Sequence, residues 1–123
     1  MPKKHPIIWA KEPQDHDYPA AASYLSLIYP PKQTKKLVKK LRHAPATQFC
    51  AKDVFRASRL ALLGSANHHV KTVRAKILLG QELSPILLVR DELNGRVVIA
   101  DGYHRMCAVY TFDEDAILPC RIV

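Results

Sequence analysis

Apolar residues recur every three or four positions in some stretches of the 123-residue chain and form unbroken runs in others. From Gln33 to His43 the apolar stripe is Leu37, Val38 and Leu41, at helical spacing, with Lys35, Lys36, Lys39, Lys40 and Arg42 around the rest of the circumference. So narrow a stripe predicts a helix at the edge of the domain, mostly in water. Asp53 is placed to cap a short helix running from Val54 towards Leu62 and ending near Gly64. Asn67 is an N-cap residue for a further helix with Val70, Val73 and Ile77 on one face and Gly80 as its stop.

Beyond Pro85 the pattern changes. Ile86–Val89 and Val97–Ala100 are short, continuous apolar runs joined through Asn94-Gly95, a strong hairpin signal. Asp101-Gly102 breaks the second run, and Met106, Val109 and Tyr110 then predict a helix over residues 103–112. The chain closes on a strand from Ile117 to Val123, with Pro119 near its start. Short strands are also expected at Tyr24–Tyr29 and Thr47–Ala51. Six of the nine prolines fall within the first 31 residues, and proline fixes φ and removes a donor. Residues 1–22 therefore read as an extended, proline-rich arm and residues 23–123 as one domain. The class expected is α+β, a small mixed sheet with packed helices.

Charge adds an asymmetry. Residues 1–80 hold fifteen Lys/Arg against four Asp/Glu, whereas residues 81–123 hold four against seven. A basic half attracts phosphate-rich partners, unless it is simply a solvated face. No apolar stretch approaches the roughly 20 residues that a membrane span needs, so no membrane partner is expected. The N-terminus has charge without a following apolar core, which argues against a signal peptide. Cys50, Cys107 and Cys120 are an odd set with no paired spacing, which fits a reducing, cytoplasmic setting rather than a disulfide framework.

The most pointed chemistry lies where a buried strand stops, one glycine turns the chain, and a helix begins: Asp101-Gly102-Tyr103-His104-Arg105. The free N–H groups of a first helical turn make an anion site. Gly102 lets the backbone approach a ligand without a Cβ, Arg105 offers a planar fork for phosphate oxygens, and His104 can act as acid or base near neutral pH. The competing structural role for Arg105 is a pair with Asp101 or Asp113. Asn67-His68-His69 lacks the spacing of a helical metal pair, so surface or capping roles are expected and no metal site is assigned. Asp113-Glu114-Asp115 could hold Mg²⁺ beside a nucleotide or be an acidic turn facing water.

Pro85-Ile86-Leu87-Leu88-Val89, followed by Gly95-Arg96-Val97-Val98-Ile99-Ala100-Asp101-Gly102-Tyr103-His104-Arg105 and Ala108, resembles the central block of the ParB/sulfiredoxin-like fold. The resemblance covers about residues 68–123. It implies a helix start of the Gly-x-His-Arg type that cradles the phosphates of a bound nucleotide, with residues 24–29 and 47–51 supplying two preceding strands. The ligand-binding residues so implied are Gly102, Tyr103, His104 and Arg105, helped by Lys71, Arg74 or Lys76 from the preceding helix. A nucleoside triphosphate with Mg²⁺ is the cofactor it suggests. Two departures matter. Sulfiredoxins carry a reactive cysteine where this chain has Tyr103, and a phenol cannot replace a thiolate in sulfinic-acid reduction. The helix-turn-helix that follows in ParB-type partition proteins has no counterpart before Val123.

The leading expectation is thus a small protein that binds a nucleotide or another phosphate-bearing ligand at Gly102–Arg105. Turnover is left open: there is no Walker loop and no catalytic carboxylate pair, and only Asp101 and His104 stand as candidate acid–base groups. The alternative is a nucleic-acid-binding module using the basic helix over residues 32–43 together with Lys71–Lys76. A third reading is an accessory protein that binds an acidic partner.

Overall fold

The computed structural model describes residues 6–123. In chain order its elements are α1 (Asp17–Leu25), α2 (Pro31–His43), β1 (Thr47–Cys50), α3 (Ala51–Ser58), α4 (His68–Leu78), β2 (Ile86–Asp91), a 3₁₀ turn (Glu92–Asn94), β3 (Arg96–Asp101), α5 (Tyr103–Phe112) and β4 (Ile117–Ile122). The four strands form one sheet in the order β1-β4-β2-β3. β1 pairs antiparallel with β4, β2 antiparallel with β3, and β2 parallel with β4. The protein is a small α+β fold with a mixed sheet.

The continuous apolar runs are explained by the layering. Ile86, Leu88, Val97 and Ile99 point to one face of the sheet, where Val54 of α3, Val70 and Ile77 of α4, and Met106 and Val109 of α5 cover them. Leu87, Val89, Val98 and Ala100 point to the other face and meet Tyr18, Ala21 and Leu25 of α1 and Leu41 of α2. A strand buried on both faces has no polar side to show. Truncating one of these residues to alanine, Leu88 for example, should cost about 2–5 kcal/mol.

Local chemistry explains most boundaries. The Asn67 side chain accepts from the backbone N–H groups of His69 and Val70, capping α4. Gly95 closes the β2–β3 hairpin in the left-handed region at φ 63°. Pro31 opens α2, where its missing N–H costs nothing.

Three expectations are corrected. Tyr24–Tyr29 is not a strand: Tyr24 and Leu25 end α1 and the next residues form a turn, with Ile28 and Tyr29 donating to the Leu25 carbonyl. The Ala20-Ala21-Ala22 run favours helix, and Pro19 lies in the first turn, where proline is tolerated. For the same reason residues 17–22 are helical rather than part of an extended arm, and Tyr18 and Ala21 are core residues. Upstream, Trp9 bridges Leu83, and Arg121 on β4 holds the Lys11 carbonyl and the Glu12 carboxylate. Residues 1–5 of the expected arm lie outside the described residues.

The third correction concerns α3, which spans Ala51–Ser58 instead of Val54–Leu62. Its first N–H groups, on Ala51 and Lys52, are taken by the carbonyls of Ala116 and Glu114, so no Asp53 cap is needed. The Ser58 hydroxyl accepts from the Leu60 N–H and Arg59 turns left-handed at φ 58°, which ends the helix early.

Candidate functional site

The β3–α5 junction is built by a one-residue irregularity. Leu88 faces Ile99, but the next pair along is Leu87 with Asp101, so β3 carries an extra residue at its end. Such a bulge re-aims the side chain that follows it. Directly opposed residues share a face, so Asp101 joins Leu87 on the α1 side of the sheet. There it forms a hydrogen-bonding contact with Asp17, which is 2 % exposed and accepts from the Gln14 N–H. Burial, with Asp17 beside it, pushes the Asp101 carboxyl above the usual aspartate range despite the opposing pull of Arg105.

Gly102 is required here. Its φ of 109° lies in the left-handed region, and a Cβ would meet Ile86 Cδ1 at 2.7 Å and Arg105 Nη2 at 3.0 Å. Arg105 Nη2 donates to the Asp101 carboxylate at 2.9 Å and to the Pro85 carbonyl at 3.3 Å. Arg105 Nε is buried without a partner. The structural pairing with Asp101 is therefore realised, and the arginine fork is largely committed to holding the turn.

A polar cleft of about 270 Å³ opens over this junction. Asp101, Gly102, Tyr103, His104 and Arg105 form one wall; His69, Thr72, Val73 and Lys76 form the other. The second set is a single stripe of α4 at i, i+3, i+4 and i+7. α5 has no side-chain cap at Gly102, so the N–H groups of its first turn remain for water or a ligand. The His69 and His104 rings pack with centroids 4.7 Å apart. Burial, and then His69, lower the His104 pKa below its ordinary value, which favours the neutral imidazole. Lys76 forms no ion pair among the described residues and is the free cation of the cleft.

The site residues expected from sequence divide accordingly. Asp101, Gly102, Tyr103, His104 and Arg105 come together. Lys71 and Arg74 do not: they lie off the α4 stripe that faces the cleft. Arg74 donates to Thr111 Oγ1 and stacks its guanidinium 4.1 Å from the Phe112 ring, a strut between α4 and α5. Lys76 and Thr72 take their place, joined by His69. The spacing of His69, Thr72 and Lys76 was the available signal. Tyr103 lines the cleft, but its phenol donates to the Ala61 carbonyl and hydrogen-bonds with Cys107, tying α5 to the loop after α3.

The acidic turn is remote. Asp115 pairs with Lys52 at 2.6 Å and Glu114 accepts from the Lys52 N–H, at the end of α5 that lies about 15 Å from Gly102 by helical rise. Among the described residues no group of three or more His, Cys, Asp or Glu side chains could hold a metal ion, and no helix is long and apolar enough to cross a membrane. The basic α2 and the Lys71–Lys76 segment lie on opposite faces of the sheet. Comparison of the chain with family models, curated proteins and solved structures finds no match in any of the three.

Proposed function

We propose that the protein binds a nucleotide or another phosphate-bearing ligand in the cleft between α4 and the start of α5. The observation that carries this reading is the uncapped amino end of α5, opening into a polar cleft with Lys76, which forms no ion pair among the described residues, opposite. Backbone N–H groups and the helix dipole favour an anion there, and a lysine supplies the point charge. The cleft suits a phosphate group and its immediate attachment; a nucleoside would extend beyond it.

The resemblance of Gly102-Tyr103-His104-Arg105 to the ParB/sulfiredoxin-like phosphate turn supports the same assignment. In this reading Gly102 makes the left-handed turn that presents the first N–H groups of α5 to the ligand, Lys76 and Thr72 contact phosphate oxygens, and neutral His104 donates or accepts one hydrogen bond. Arg105 is a positioning residue, fixed by Asp101. Sulfinic-acid reduction is not proposed, because Tyr103 stands at the thiol position and Cys107 is buried in the core. A bound ligand stabilises the folded state by linkage, about 2.7 kcal/mol at a hundredfold excess over Kd.

The test is a thermal-shift panel of ATP, CTP, GTP, inorganic triphosphate and a short DNA duplex, each with and without Mg²⁺. At least one phosphate compound should raise the Tm of the wild type, and Lys76→Ala should remove most of that rise while Lys71→Ala leaves it intact. Equal responses in the two variants would sink the assignment.

A further inference from the structure

A second concavity, with a volume of about 700 Å³, lies on the opposite side of the molecule, between α1 and α2. Its floor is apolar or small: Pro19, Ala22, Pro31 and Val38. Along one side run Lys35, Lys39 and Arg42, at i, i+4 and i+7 of α2, a line of positive charge about 10 Å long. α2 contains no acidic residue, and none of the three cations forms an ion pair among the described residues. Leu27, 84 % exposed, directly follows Ser26, which also lines the groove.

We propose that this groove docks an acidic amphipathic segment of a partner protein, its apolar face on the Pro19–Val38 floor and its carboxylates against Lys35, Lys39 and Arg42. Charge complementarity selects the occupant. A groove between two helices accepts a third helix through apolar anchors at i, i+3 and i+4, and acidic residues beside those anchors meet the basic line on α2. Nucleic acid fits less well, since a sugar–phosphate backbone gains nothing from an apolar floor. The aromatic ring at hand is also occupied: Tyr18 is buried, and Arg42 lies 4.3 Å over it. This docking surface is separate from the phosphate cleft and does not depend on it.

The experiment selects binders to the full chain from a displayed library of random 16-residue peptides, then measures synthesised winners by fluorescence anisotropy. Winners should share net negative charge and apolar residues at helical spacing. Lys35→Glu/Lys39→Glu should weaken them at least tenfold, whereas Lys36→Glu/Lys40→Glu, on the neighbouring side of α2, should change affinity less than threefold. A peptide with its acids replaced by lysine should regain binding to the Lys35→Glu/Lys39→Glu protein, which separates a docking defect from a folding defect. A selection without an acidic amphipathic consensus overturns the proposal. So does equal weakening by the two double variants, or single-stranded or duplex nucleic acid that binds and loses affinity in Lys35→Glu/Lys39→Glu while the peptides do not.

Discussion

Replacing Gly102 with alanine puts a methyl group where the structure has no room for it. Two costs can be worked separately. A φ of 109° is foreign to an L-residue, and left-handed backbone costs roughly 1–2 kcal/mol. The new Cβ would also stand 2.7 Å from Ile86 Cδ1, which is wholly buried, and overpacking a close-packed core costs about 1–3 kcal/mol. The sum of about 2–5 kcal/mol is a large part of the roughly 5–15 kcal/mol that holds a domain together. At this chain length each kcal/mol lowers the Tm by about 3–5 °C, so the melt should fall by at least about 6 °C. Urea unfolding followed by circular dichroism reads the loss directly, as a lower midpoint at unchanged slope. Ile86→Val removes the clashing Cδ1 and alone costs about 0.5–1.5 kcal/mol. In the double variant the steric part should disappear, making the combined loss smaller than the sum by about 1 kcal/mol or more. Strict additivity of the two substitutions would refute the close approach of Gly102 to Ile86.

Other consequences are equally open to measurement. The folded-state pKa of Asp101 is raised by burial and by Asp17, so the stability it contributes is complete below the ordinary aspartate pKa of about 3.9 and is lost as pH rises through the folded value. Asp101→Asn escapes that loss, and its stability relative to wild type, from urea curves between pH 3.5 and 7, should shift in its favour with rising pH; a flat difference contradicts the burial of the carboxyl. Arg74→Ala removes a hydrogen bond to Thr111 and a cation–π contact with Phe112, and should cost about 1–3 kcal/mol without altering ligand affinity. Cys107 and Cys120 are buried, the Cys120 thiol pushed up to about 12, while Cys50 is half-buried. A thiol reagent should therefore label Cys50 in the native protein and reach the other two only on unfolding.

The hairpin, the last two helices and the sheet core were legible because each has a strong local signal: Asn94-Gly95 for the turn, Asn67 for the cap, unbroken apolar runs for a sheet covered on both faces. α1 was hidden because proline density outweighed the Ala20–Ala22 run, although Tyr18, Ala21 and Leu25 carry the helical spacing of a buried face. The early start of α3 depends on carbonyls of residues 114 and 116 replacing a side-chain cap, a long-range substitution that no local pattern announces. At the cleft, the wall on α5 could be read from one continuous motif. The wall on α4 required choosing among Lys71, Arg74 and Lys76, and that choice is made by the rotation of the helix against α5, where Phe112 and Thr111 draw Arg74 away from the cleft. The pairing of Asp101 with Asp17 follows from the extra residue at the end of β3, which an unbroken run of apolar residues does not reveal.

The phosphate assignment is tested most directly by following backbone amides of ¹⁵N-labelled protein during titration with ATP and with inorganic triphosphate. Saturable shifts at the amides of Gly102, Tyr103, His104 and Arg105 are expected, accompanied by His69, Thr72 and Lys76 on α4. Lys76→Ala should weaken the titration about tenfold, the loss of one charge-assisted contact. Unmoved amides at Gly102–Arg105 at millimolar ligand, or shifts confined to α2, would contradict it.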